Sequence, residues 1–196
     1  VNNCPEAKQG SIIYYSSGNS GRLGEIVGEQ DWEIPAHGVL VPDPHNLPAA
    51  GLTVGAVEVL QEGDTACRIS GTEFFNALGS YTTVNRAELR EAQQVFAIRN
   101  AGRNTGIALY NPNLYQVRLD VVFRWSGGSM GAEMELGAKG HRALFLDELL
   151  PLIPEGAAGT LNIFAGEGEA FALMGLLTLD PLSNALVALP ISPNAY

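Results

Sequence analysis

Three groups of residues have the types and spacing that chemistry would need. Gly127-Gly128-Ser129-Met130-Gly131 matches G-x-S-x-G. In a hydrolase that pattern sets a nucleophilic serine on a sharp turn between a strand and a helix. The stretch before it reads as a strand, but Ala132–Leu136 after it alternates like another strand, so a hairpin turn is expected. Glu133/Glu135, Asp147/Glu148 and Glu167/Glu169 pair carboxylates that would suit calcium or glycoside hydrolysis, since residues two apart on a strand share a face. The Glu167/Glu169 pair sits in a Gly-rich hairpin, where solvated charge is the ordinary role. His37, His45 and His141 share no metal-ligand spacing, and neither H-x-x-x-H nor C-x-x-C occurs. Asp43-Pro44-His45 reads as a turn. No catalytic residue, metal ligand or cofactor is therefore expected.

Aromatic side chains offer a different chemistry. Tyr14, Tyr15, Trp32, Tyr81, Tyr110, Tyr115 and Trp125 are available for a sugar-binding platform or for packing. Tyr14 and Tyr15 are adjacent on a strand pattern and point to opposite faces, so Tyr14 meets either solvent or a partner.

The elements that carry these residues fall into a degraded internal repeat. Residues 55–75, GAVEVLQEGDTACRISGTEFF, align without a gap on residues 159–179, GTLNIFAGEGEAFALMGLLTL. Gly55 falls on Gly159, Val57 on Leu161, Val59 on Ile163, Ile69 on Leu173 and Gly71 on Gly175. Upstream, Ile34-Pro35-Ala36-His37-Gly38 falls on Leu136-Gly137-Ala138-Lys139-Gly140, while Ile13 is set on Phe123 and Tyr15 on Trp125. Copy two has two apolar runs before its Phe123 strand, Val95–Arg99 and Thr105–Asn111. Copy one has only VNNCPEAKQG before its Ile13 strand, a polar leader with Pro5 that makes a poor strand pair. Copy one is thus expected to lack two strands.

Period-two alternation dominates elsewhere. Val117, Leu119, Val121, Phe123 and Trp125 alternate with Arg118, Asp120 and Arg124, which describes a strand with one wet face. Ser11–Tyr15, Gly38–Val41, Val54–Leu60, Ala66–Ser70, Ser80–Val84, Val95–Arg99, Thr105–Tyr110, Ala132–Leu136, Thr160–Phe164, Ala170–Leu177 and Ala185–Ile191 also read as strands, separated by Gly- and Asn-rich turns. Many short strands at this spacing predict antiparallel sandwiches. Phe145–Leu150 predicts one helical turn, stopped by Pro151. Arg86–Gln94 has helical composition and is the candidate linker, dividing the chain into copy one at 1–85, a linker at 86–94 and copy two at 95–196.

Composition sets the limits. The chain is 46% apolar and 16% charged, a globular balance, with a net charge of −10 and no clustered Lys and Arg, which argues against nucleic acid and anionic membranes as partners. No apolar run reaches the roughly 18 residues of a membrane span, so no membrane insertion is expected. The opening VNNC reads as the start of a processed chain, without the small apolar residues expected before a lipidated cysteine. Cys4 and Cys67 are the two cysteines, far apart in sequence, and fit one disulfide in an oxidising compartment.

Copy two also carries a family likeness. Asn104–Pro112, Gly140–Leu149, Gly159–Ile163, Gly175–Leu177 and Ala188–Ile191 together resemble tandem β-sandwich modules of large secreted or surface-attached bacterial proteins. The resemblance implies an Ig-like sandwich and an extracellular or cell-surface location, and the short first copy departs from it; together with the repeat, the expected fold is all-β, two Ig-like antiparallel sandwich copies in tandem, the first lacking N-terminal strands. The resemblance implies no catalytic residues.

A sandwich short of two strands exposes an apolar groove and strand edges that pair with whatever strand is near. The expected function is a non-catalytic structural subunit of a filament or surface assembly. Subunits would join to copies of themselves by strand exchange, with Ile12, Tyr14, Val95, Phe96 and Ile98 as candidate interface residues. The alternative is a secreted module that binds carbohydrate or another surface partner.

Overall fold

A computed structural model of the protein describes residues 1–16, 20–41, 55–63, 66–70, 72–77, 80–85, 87–100, 102–180 and 185–193. The chain is all-β with antiparallel sheets. The strands are β1 (Lys8–Ser16), β2 (Glu25–Ile34), β3 (Gly55–Gln61), β4 (Thr72–Ala77), β5 (Ser80–Asn85), β6 (Leu89–Arg90), β7 (Ala92–Asn100), β8 (Arg103–Tyr110), β9 (Val117–Trp125), β10 (Gly128–Leu136), β11 (His141–Phe145), β12 (Ala157–Ala165), β13 (Phe171–Asp180), β14 (Ala185–Leu189) and β15 (Ile191–Pro193). One helical turn, α1 (Leu146–Leu149), follows β11.

The large sheet runs β10-β9-β12-β7-β8-β13-β14 and folds over at the β7–β8 turn, where only Arg99↔Asn104 and Asn100↔Arg103 pair. Its two halves close on one core. Val95, Leu119, Val121, Phe123, Leu161 and Ile163 from one half meet Ile107, Leu109, Phe171 and Leu173 from the other, giving a sandwich-like body. The alternation in β9 does what its pattern predicts: Val117, Leu119, Val121 and Phe123 are buried, while Arg118, Asp120 and Arg124 are exposed. At α1 the Glu148 side chain accepts a hydrogen bond from the Phe145 N–H at 2.7 Å. Leu146, Leu150 and Ile153 close that end of the core. Pro151 lacks the N–H needed to continue the turn.

A separate three-stranded sheet, β2-β1-β3, carries its own small cluster of Ile12, Trp32 and Ile34, with Tyr14, Leu40 and Ile69 against it. The hairpin β4–β5 forms a third sheet. Cys4 and Cys67 are joined in a disulfide.

Four local expectations need correction. Gly38–Val41 and Ala66–Ser70 are not strands. In the repeat alignment they correspond to the start of β11 and of β13, and both of those strands pair with β8. Among the described residues no strand lies beside them as β8 lies beside β11 and β13, so their backbone groups join no ladder there. The polar-rich segment Glu25–Ile34, not anticipated as a strand, becomes β2 because β1 offers it a full edge from Lys8↔Ile34 to Ser16↔Glu25. Arg86–Gln94 forms no helix among its described residues: Leu89–Arg90 pair with β13, and Ala92 opens β7.

Candidate functional site

The G-x-S-x-G motif lies in the β9–β10 hairpin. Ser129 is exposed on β10 opposite Arg124, and no helix follows it. Glu133 and Glu135 are exposed on the same strand, with Glu133 paired to Arg118. Asp147 accepts a 2.8 Å hydrogen bond from Asn104 Nδ2 and lies 3.9 Å from Arg99 Nε. Glu148 is spent on the α1 turn, and Glu167 is an exposed turn residue. His37 is exposed and His141 is buried on β11, its imidazole pushed below the ordinary value by burial. Asp43 and His45 lie outside the described residues. Among the described residues no three His, Cys, Asp or Glu side chains gather to hold a metal.

The aromatics are mostly packed. Tyr15, Trp32 and Tyr110 are buried, Tyr14 leans on the Ile12 cluster, and Trp125 stacks on Phe123 with ring centroids 5.4 Å apart. Tyr115 is about half exposed. The side chain of Tyr81 lies outside the described residues.

The first sheet and the sandwich share local geometry that neither resemblance nor composition revealed. The buried Asn2 donates through Nδ2 to the carbonyls of Glu6, Ile34 and Pro35, and its Oδ1 accepts from the Cys4 N–H. The buried Asn111 donates to the carbonyls of Tyr115, Leu136 and Gly137, and its Oδ1 accepts from the Asn113 N–H. The backbone N–H of Asn2 reaches the Gly38 carbonyl and that of Asn111 the Gly140 carbonyl, each at 2.9 Å. In the turns that these asparagines clamp, His37 and Lys139 are the two described non-glycine residues at positive φ, 56° and 53°. Each holds a left-handed conformation that L-residues rarely take. Gly55 and Gly159 match as well: a Cβ on either would lie 1.9 Å from a carbonyl oxygen of the neighbouring strand, that of Tyr15 or of Arg124.

These contacts correct the alignment of the first strand by one residue. Gly55 pairs with Ser16 and Gly159 with Trp125; Val57 pairs with Tyr14 and Leu161 with Phe123. Ser16, not Tyr15, therefore stands where Trp125 stands. A one-residue shift turns every side chain to the other face. Tyr15 accordingly points out of the first sheet and is buried against the sandwich, not in a core of its own.

That outward face builds a polar junction. Glu58 Oε1 accepts from Lys139 Nζ and from the Tyr110 hydroxyl, each at 2.7 Å. Glu58 and Lys139 are 15% and 17% exposed, so the pair is largely withdrawn from water. Lys139 also lies 5.4 Å from the centre of the Tyr15 ring, whose centroid is 6.2 Å from that of Tyr110. Burial, then the bond to Glu58, drives the Tyr110 hydroxyl far above its ordinary value, and burial followed by the Glu58 charge raises Tyr15. Backbone bonds finish the joint: Gly24 N–H to the Ala138 carbonyl at 2.9 Å, Gly137 N–H to that of Gly21 at 2.7 Å, and Gly21 N–H to that of His141 at 3.1 Å.

The opposite face of the first sheet carries the Ile12, Trp32 and Ile34 cluster and is open along β3. Val57 and Val59 are 54% and 53% exposed, whereas Leu161 and Ile163, their counterparts in the alignment, are fully buried. Covering an aliphatic side chain is worth about 1.5–3 kcal/mol, and β3 forgoes much of it. Of the candidate interface residues, Ile12 and Val95 are core residues at 5% and 1% exposed. Tyr14 and Ile98 are half-buried, and Phe96 is 52% exposed on β7. The structure does not gather the five on one surface. The residues missed were Val57 and Val59, although their alignment to Leu161 and Ile163 carried the signal.

Comparisons with protein-family models, curated proteins and solved structures return no match.

Proposed function

We propose that the chain comprises two tandem copies of one Ig-like sandwich unit, the first without counterparts of β7 and β8. We propose further that it serves outside the cell as a non-catalytic structural subunit, joined to its neighbours in a filament or surface assembly by β-strand exchange. The observation that carries this reading is the exposure of Val57 and Val59 on a sheet whose order and register repeat those of β10-β9-β12. In the sandwich, β7 pairs with β12, and the half containing β8 and β13 covers the inner face. In the first sheet the Ile12, Trp32 and Ile34 part of that face is packed, while β3 at its edge lacks such cover. Large exposed apolar strand surfaces invite pairing with other chains. The partly buried Glu58–Lys139 contact supports the same reading, since a subunit that transmits load needs its two parts held together. The disulfide is compatible with an oxidising location.

Negative-stain electron microscopy and sedimentation of the purified protein, before and after mild denaturant, test the proposal. Regular fibres or large oligomers that persist in mild denaturant are the expected result. A protein that remains a single small particle at every concentration would overturn it.

A further inference from the structure

We infer that residues 55–60 of β3 form the acceptor edge for one kind of occupant: an extended strand of the β7 pattern, donated antiparallel by another polypeptide chain. The inference rests on the strand-exchange reading and names its edge, register and donor chemistry. The sandwich supplies the template. There β12 pairs with β9 on one edge and with β7 on the other, and β7 sets Ala97 opposite Gly159, Val95 opposite Leu161 and Gln93 opposite Ile163. In the first sheet β3 pairs with β1 in the register that β12 uses on β9, and among the described residues it takes part in no other ladder.

Transferring the β7 register to β3 sets three requirements on the donor. Opposite Gly55 it needs a small residue, as Ala97 is opposite Gly159. Opposite Val57 it needs a branched apolar residue, as Val95 is opposite Leu161. Its intervening side chains face the Glu58 side of the sheet, where Lys139 and Tyr110 already occupy the carboxylate, so that face asks for no charge. The backbone supplies most of the affinity and the Val57 and Val59 surfaces supply the register.

The test uses the full-length protein, its monomer fraction isolated by gel filtration at low concentration. The probe is a fluorescein-labelled peptide with the sequence of residues 91–101, followed by fluorescence anisotropy. Saturable binding is expected. It should weaken by about tenfold or more in Val57→Lys and in Val59→Lys, which place a charge where an apolar contact forms. It should vanish for a peptide N-methylated along the edge that meets β3, and survive in Val59→Ile. Both lysine variants alter half-exposed side chains, and unchanged thermal unfolding will show that they fold.

Absence of binding to wild-type monomer overturns the inference. So does assembly of the Val57→Lys/Val59→Lys protein at the wild-type level, which would leave strand exchange in place at another edge. Peptide binding by a protein that never assembles would leave the acceptor edge standing and remove the filament reading. Association that stops at dimers and ignores the peptide would mean that β3 pairs with β3 of another copy, which also overturns the assigned occupant.

Discussion

Asn2, in the leader before β1, and Asn111, directly after β8, make matching hydrogen bonds: three carbonyls held by Nδ2, a backbone N–H two residues on held by Oδ1, and a backbone N–H given to a turn glycine carbonyl. A buried amide that meets this many backbone groups sets the path of two chain segments at once. The rest of the local likeness follows from it: the left-handed His37 and Lys139, the glycines after them and the strands that lead away.

Replacing either asparagine by alanine should therefore be costly. Asn111→Ala takes a donor from three carbonyls, of which that of Gly137 keeps the Gly140 N–H, and an acceptor from the Asn113 N–H and Nδ2, and a loss of about 2–4 kcal/mol is expected from the groups left unsatisfied. Asn2→Ala should act in the same direction. Denaturant melts of the two variants check this, and a loss under 1 kcal/mol in both would show that water replaces the amide.

The junction pair should respond to removal of one partner more than of both. Lys139→Met leaves Glu58 facing Tyr110 without its cation, and about 2–3 kcal/mol of stability should go. The double variant Glu58→Gln/Lys139→Met should recover part of that. A double-mutant cycle by chemical denaturation gives the coupling, and simple additivity of the two losses would argue against a functional pair.

Reduction should destabilise the protein. The Cys4–Cys67 bridge has a sequence separation of 63 and ties the leader that carries Asn2 to the segment after β3. In the chain-entropy account a loop of that length is worth about 4 kcal/mol. Cys4→Ser/Cys67→Ser should lower the unfolding midpoint accordingly, and dithiothreitol should leave that variant's midpoint unchanged.

His141 predicts a pH dependence. Burial holds its folded pKa below the ordinary 6.5, so the folded protein binds fewer protons than the unfolded chain between the two values. The stability tied to the neutral imidazole is complete above about pH 6.5 and is lost as pH falls toward the folded value. His141→Gln should flatten that part of the stability profile. An unchanged profile would assign the acid sensitivity to carboxylates.

Much of the fold was legible in the residues. Strands with one buried and one wet face, such as Val117–Trp125, announce themselves, because alternation is a property of the strand alone. The hairpin at Gly127-Gly128, the turn at Leu146–Leu149 and the Cys4–Cys67 pair were accessible for similarly local or compositional reasons. Glu25–Ile34 was not, since its burial is concentrated in Trp32 and Ile34 and its strand character comes from pairing with β1. Gly38–Val41 and Ala66–Ser70 failed the opposite way, carrying strand-like residues that join no ladder among the described residues.

By itself the sequence determined the period, the turns, the disulfide-competent cysteines and the likeness between residues 55–75 and 159–179. Only the tertiary structure decided that Ser16 rather than Tyr15 matches Trp125, that Glu58 meets Lys139, and that Val57 and Val59 are exposed while Leu161 and Ile163 are covered. The physical reason is that alternation is written residue by residue, whereas register and cover depend on which distant strand lies alongside.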